Sequence, residues 1–106
     1  MGQLEEVVRV GRLEIRPNEH TVLLDGVPLV LTVREAALLS ELASHPDRVL
    51  TRQELYAAVW GGTFRPSDRS VDVYVSRLRS KLAGALPGTA FIHTHFGIGY
   101  RFSAGP

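Results

Sequence analysis

The chain has no cysteine among its 106 residues, which excludes a disulfide framework and thiol chemistry. It has no run of about 18 apolar residues, so no membrane span is expected. Its first residues, MGQLEEVV, lack the basic start and apolar core of a signal peptide, and a cytoplasmic location is the default. Repeats and low-complexity stretches are missing. So are a phosphate-cradling P-loop, a nucleophile motif and paired carboxylates on one helix face, so no enzyme is expected. An excess of one sign of charge is lacking as well: 12 Lys and Arg stand against 11 Asp and Glu, a net charge of only +1.

That small net charge hides an asymmetry. Residues 1–46 hold four arginines against seven acids, and residues 47–106 hold eight Arg and Lys against four acids. A basic half suits a face turned to phosphates, with the other half kept for protein contacts. Ordinary scatter of surface charge accounts for the figures equally well.

What is present reads as one compact domain over residues 1–106, with flexible ends at 1–6 and 103–106. Val7–Val10, Leu13–Arg16, Thr21–Leu24 and Pro28–Leu31 are short strand signals. They are divided by Gly11, by Pro17-Asn18 and by the hairpin dipeptide Asp25-Gly26. Pro28 suits the start of an edge strand. The period then turns helical. Thr32-Val-Arg-Glu35 is a capping box, Leu38, Leu39, Leu42 and Ala43 follow at helical spacing, and His45-Pro46 stops the run. Thr51-Arg-Gln-Glu54 is a second box, opening a short helix that ends at Gly61-Gly62. Ser67 or Asp68 caps a third helix running to about Leu82 or Ala83, ended by Gly84 and Pro87-Gly88. Phe91–His95 and Gly99–Phe102 form a closing hairpin.

The third helix is two-sided. Val71, Val75, Leu78 and Leu82 share one stripe, which faces a core. Arg69, Ser70, Val73, Ser76, Arg77 and Ser80 lie opposite, flanked by Tyr74 and Lys81 on one side and by Asp72 and Arg79 on the other. That face has the chemistry of a major-groove reader. Arg77 can donate twice to a guanine, Val73 can touch a thymine methyl, and the serines let the backbone approach. Arg69, Tyr74 and Lys81 can reach phosphates. Arg79 has Asp72 beside it, so an internal salt bridge competes with a DNA contact.

The hairpin carries Gly97 and Gly99 around Ile98, a tight turn. Thr94 can donate to a phosphate; Arg101 lies beyond the tip and reads as structural. His93 and His95 alternate along a strand with no cysteine or carboxylate near them in sequence, so no metal and no cofactor is expected.

Three stretches, LTVREAALLSELASHPDRVLTRQELYAAVWG, DRSVDVYVSRLRSKL and GIGYRF, together resemble the winged-helix effector domain of OmpR/PhoB-type response regulators. The resemblance runs from about Val8 to Phe102. It implies an α+β winged helix-turn-helix: a four-stranded antiparallel sheet, three helices and a C-terminal hairpin wing. It implies sequence-specific binding of double-stranded DNA by a recognition helix over 68–83 and a wing over 91–102, commonly as a tandem homodimer on direct repeats. By position it places Arg69, Ser70, Val73, Tyr74 and Arg77 on the DNA face, and Thr94, Phe96, Gly97 and Ile98 in the wing. It also raises Arg79 as a DNA-binding arginine. Trp60, Gly61, Gly62, Thr63, Phe64, Arg65 and Pro66 fall in the loop that would face RNA polymerase. A receiver or other regulatory domain is implied upstream in the full-length protein.

The wing departs from that pattern. Phe96 stands where arginine is frequent, His95 where the residue is usually apolar, and Ile98 makes the tip more hydrophobic still. Phe96 and Ile98 either press apolar groups into the minor groove, or Phe96 folds back onto the domain; the second reading is preferred. The rival function is a winged helix used for protein contacts, with RNA polymerase or a receiver domain as partner.

Overall fold

A computed structural model describes residues 7–103. The expected flexible end at residues 1–6 lies outside them, as do residues 104–106. Ser103 itself is tied down, its N–H donating to the Phe91 carbonyl at 2.8 Å.

The chain opens with a four-stranded antiparallel meander: β1 (Val8–Val10), β2 (Leu13–Arg16), β3 (Thr21–Leu24) and β4 (Val27–Pro28), in sequence order. Alternation decides which face is buried: Leu13, Ile15, Val22 and Leu24 all point into the core. Asp25 and Gly26 both take positive φ, 53° and 78°, the turn that matches strand twist between β3 and β4. Pro28 ends β4 rather than starting it. It closes an edge strand of two residues opposite Leu23; the Leu29 N–H still donates to the Val22 carbonyl at 2.9 Å, and 30–32 carry the chain on to the first helix.

Helix α1 (Val33–Ala43) has both reciprocal bonds of its capping box. Thr32 Oγ1 accepts from the Glu35 N–H at 3.1 Å and Glu35 Oε1 accepts from the Thr32 N–H at 2.8 Å. Helix α2 (Arg52–Val59) has one: Thr51 Oγ1 accepts from the Glu54 N–H at 3.0 Å, while Glu54 turns toward Arg48 at 3.6 Å. Helix α3 (Ser70–Ala85) starts and ends two residues later than its sequence suggests. Asp68 Oδ1 accepts from the Ser70 N–H at 2.8 Å, and Gly84 is absorbed into the last turn. Its stripe is buried as expected: Val71, Val75, Leu78 and Leu82. Two hydrogen bonds from Ser70 hold the Asp68 carboxyl below its ordinary range.

The hairpin strands β6 (Ile92–His95) and β7 (Gly99–Phe102) pair antiparallel. A third strand, β5 (Val49–Thr51), joins them on the β7 side, in the order β5-β7-β6. Strand β5 has no sequence signal of its own: its three residues pair with Gly99–Arg101 about fifty positions away. The wing therefore grows from a small sheet anchored between α1 and α2. Among the described residues, no helix is long and apolar enough to cross a membrane.

Candidate nucleic-acid interface

The reading face of α3 stands open. Val73 is 45% exposed in the middle of it, an aliphatic side chain that the core does not take up. Arg77 is exposed one turn further on, its guanidinium 5.0 Å from the Tyr74 ring centroid. Arg69 precedes the first turn with its side chain 75% exposed and 3.6 Å from Asp72 Oδ2. Ser70 is half-buried at the helix start, while Ser76 and Ser80 are exposed.

Three further expected DNA contacts on α3 have partners within the domain. Tyr74 is half-buried, meeting Trp60 edge-on with centroids 5.2 Å apart. Lys81 is drawn away from the expected phosphate role: its Nζ donates to Glu35 Oε1 at 2.6 Å, because the carboxylate of the α1 capping box is buried and needs a cation. Arg79 does not pair with Asp72. Its guanidinium donates to the Ile92 carbonyl at 3.1 Å and to Thr94 Oγ1 at 2.6 Å, binding the reading helix to the first hairpin strand. Thr94 accepts from Arg79 and so keeps its hydroxyl proton to donate elsewhere.

Asp72 is instead the centre of a three-element joint. Oδ2 accepts from Arg52 Nη2 of α2 at 2.9 Å, and Oδ1 accepts from the Tyr100 hydroxyl of β7 at 2.5 Å. Burial, then the Asp72 hydrogen bond, push the Tyr100 hydroxyl up to about 12. Arg52 also donates to the Asp68 carbonyl at 2.8 Å. Between this joint and the wing lies an open cleft of about 600 Å³, lined by Thr51, Arg52 and Gln53 of the α2 start, Arg69, and the wing tip. The α2 residues at this cleft are not among those the sequence points to. The second capping box placed Arg52 in a first turn, but nothing local showed which neighbour that turn faces.

The wing tip is an apolar knuckle. Gly97 takes φ 78°, and the Ile98 N–H closes the turn onto the His95 carbonyl at 2.9 Å. Phe96 is 91% exposed and Ile98 58%, so the expectation that Phe96 folds back onto the domain is not met. The turn aims its side chain outward, and Phe96 is not among the residues packed against the core. Arg101 is structural as read, its Nε donating to His95 Nε2 at 3.1 Å and its Nη1 lying 3.4 Å from Asp47 Oδ1. Gly99 serves close approach rather than positive φ: a Cβ there would stand 1.9 Å from the Leu50 carbonyl oxygen of β5.

The loop over residues 60–66 is held by its aromatic members. Trp60 stacks on Tyr56 with centroids 5.7 Å apart, and Phe64 meets Tyr56 at 5.5 Å. Gly61, Gly62, Thr63, Arg65 and Pro66 are left exposed between and beyond these anchors.

Sheet, three helices, exposed reading face and hairpin together define a winged helix-turn-helix domain. Comparison with known proteins identifies its kind. A family model described as "Transcriptional regulatory protein, C terminal" matches residues 26–102, and the chain belongs to that family, the OmpR/PhoB type. It is 38% identical over 102 residues to the phosphate regulon transcriptional regulatory protein PhoB of Escherichia coli (strain K12), covering 94% of this chain and 43% of that protein. With the transcriptional regulatory protein CreB of the same strain it shares 37% over 94 residues, 89% of this chain and 41% of that one. The chain thus spans less than half the length of these relatives. Among solved structures it is similar to the DNA-binding domain of CpxR from E. coli, with TM-score 0.86 at 32% identity, covering 95% of this chain and 99% of that one. It is also similar to the Klebsiella pneumoniae RstA DNA-binding domain in complex with RstA box, with TM-score 0.83 at 34% identity, covering 93% and 98%.

Proposed function

We propose that this domain reads duplex DNA for a bacterial transcription regulator by laying α3 in the major groove. The observation that carries the reading is the outward pair Val73 and Arg77: an exposed aliphatic contact and an exposed fork of donors on one helix face. Arg77 recognises a guanine through O6 and N7, and Val73 meets a thymine methyl. Arg69, with Arg52 and Thr94 around the cleft, positions the phosphate strand that separates the two grooves. The solved relative bound to its DNA box, the RstA domain, supports this reading.

The finer partners follow from the same reading. Two copies bind in tandem on direct repeats, an upstream receiver or other regulatory domain controls them, and the loop Trp60–Pro66 meets RNA polymerase. Such a regulator works in the cytoplasm. The aromatic anchors Trp60 and Phe64 support the loop assignment by holding that segment in one shape.

The test is a mobility-shift titration on a duplex selected by this chain from randomised DNA. Arg77→Ala is expected to cost about 1–3 kcal/mol and to relax preference at one base pair. Unchanged affinity together with unchanged base preference would falsify the assignment of Arg77.

A further inference from the structure

The wing tip carries no charge, yet it is held rigidly beside the reading helix. Phe96 and Ile98 are exposed at 91% and 58%, and the cationic groups of the cleft, Arg52 and Arg69, lie at the starts of α2 and α3 rather than on the tip. Two sets of bonds fix the hairpin that carries the tip. Arg79 of α3 donates to the Ile92 carbonyl and to Thr94 Oγ1, and Tyr100 of β7 donates to Asp72 of α3. A hairpin already fixed in place spares its backbone the ordering cost of binding, and burial of large apolar side chains is favourable per unit area.

We infer that Phe96, backed by Ile98, is an apolar minor-groove wedge through which this domain reads the deformability of DNA beside its major-groove site. The inference rests on the proposed DNA reading. With α3 in the major groove and one phosphate strand crossing the cleft, the tip meets the adjacent minor groove. A neutral aromatic tip gains nothing from the negative potential of a narrow groove, which rewards a cation. It gains by pressing on sugars and entering an opened base step, and that opening is least costly at pyrimidine–purine steps such as TA and CA/TG. The wing therefore selects sequence by how easily a step opens, not by hydrogen bonds to base edges.

The experiment uses the 106-residue chain and a duplex it selects from randomised DNA. The minor-groove step one half-turn from the Arg77 contact is written as TA or as GC. Wild-type protein is expected to prefer the TA duplex by about tenfold and to bend it in a circular-permutation assay. A 2-aminopurine placed at the step is expected to brighten as it unstacks. Phe96→Ala loses the preference, the bend and the brightening; Phe96→Leu keeps them in part. Phe96→Arg replaces the wedge with a cation and steepens the salt dependence by about one counterion. Because Phe96 touches no core, circular dichroism of all three variants stays that of the wild type.

If Phe96→Ala keeps the step preference and the bend while Arg77→Ala loses base preference, the wedge is overturned and the helix reading stands. If the wild-type chain selects no common duplex, both fall together. A Phe96→Ala variant that loses self-association in free solution, with DNA bending intact, assigns the tip to a second copy and overturns the wedge as well.

Discussion

Arg79 and Thr94 meet across the junction of the third helix and the hairpin, with guanidinium nitrogen and hydroxyl oxygen 2.6 Å apart. The same guanidinium donates to the Ile92 carbonyl and lies 5.6 Å from the Tyr100 ring centroid. This side chain, together with the Tyr100–Asp72 bond, thus holds the angle between the reading helix and the wing. Arg79→Ala is expected to cost about 1–2 kcal/mol of stability, since several charge-assisted bonds go at once. Amide exchange over 92–101 speeds up while that of α1 changes little. Affinity for DNA falls, with base preference at the Arg77 contact retained. Unaltered exchange in the hairpin would refute the clamp.

The ion pair between Lys81 and Glu35 is lopsided. The Glu35 side chain is 2% exposed and that of Lys81 39%. Burial pushes the Glu35 carboxyl up, but the hydrogen bonds from Lys81 and from the Thr32 N–H outweigh it and hold the group below its ordinary range. Lys81→Met strands a buried carboxylate and is expected to cost about 2–4 kcal/mol; Glu35→Gln leaves a lysine that can reach water, and costs less. Because the folded carboxyl titrates below its unfolded value, its contribution is present above the unfolded value near pH 4.3 and lost as pH falls through the folded one. Urea denaturation from pH 7 down to pH 3 is expected to show wild-type stability falling toward the Glu35→Gln value. A Lys81→Met variant as stable as Glu35→Gln at pH 7 contradicts this ordering.

Tyr100 is poised in the opposite sense. Burial and the Asp72 acceptor raise its hydroxyl to about 12, against an ordinary value of about 10. Its contribution is therefore complete below about pH 10 and fades as pH climbs through the folded value. An ultraviolet difference titration is expected to show one of the three tyrosines ionising late. Asp72→Ala brings that step down but leaves it above the ordinary value, since burial remains. Three coincident transitions near pH 10 in the wild type would rule out the buried joint.

These side-chain partnerships mark where sequence stops being informative. The apolar stripe of α3, the Thr32–Glu35 box and the Asp25-Gly26 turn are local, so spacing alone reveals them. The same spacing set Lys81 and Arg79 on flanks of the helix but not against Glu35, 46 positions back, or Thr94, 15 positions on. Strand β5 escaped for the same reason: its three residues have no period of their own and are strand only because β7 lies beside them. Phe96 shows the reverse case. An aromatic in a short turn invites a core assignment, and only the direction of the Gly97 turn shows that it points to solvent.

The two hairpin glycines separate by variant. Gly97 has φ 78° with open space where a Cβ would stand, so Gly97→Ala meets only the left-handed backbone penalty, about 1 kcal/mol. At Gly99 a Cβ would lie 1.9 Å from the Leu50 carbonyl oxygen and 2.9 Å from the Thr51 Cα. Both are main-chain atoms of β5, which cannot turn aside as a flexible side chain can. Gly99→Ala must push β5 from β7, and with it the start of α2 that lines the cleft. It is expected to cost about 3 kcal/mol, with an altered β5–β7 register in amide chemical shifts. DNA affinity falls even at temperatures where the variant is folded, because Arg52 moves with β5. Gly97→Ala keeps the register and most of the affinity, so equal losses from the two substitutions would refute a role for Gly99 in close approach.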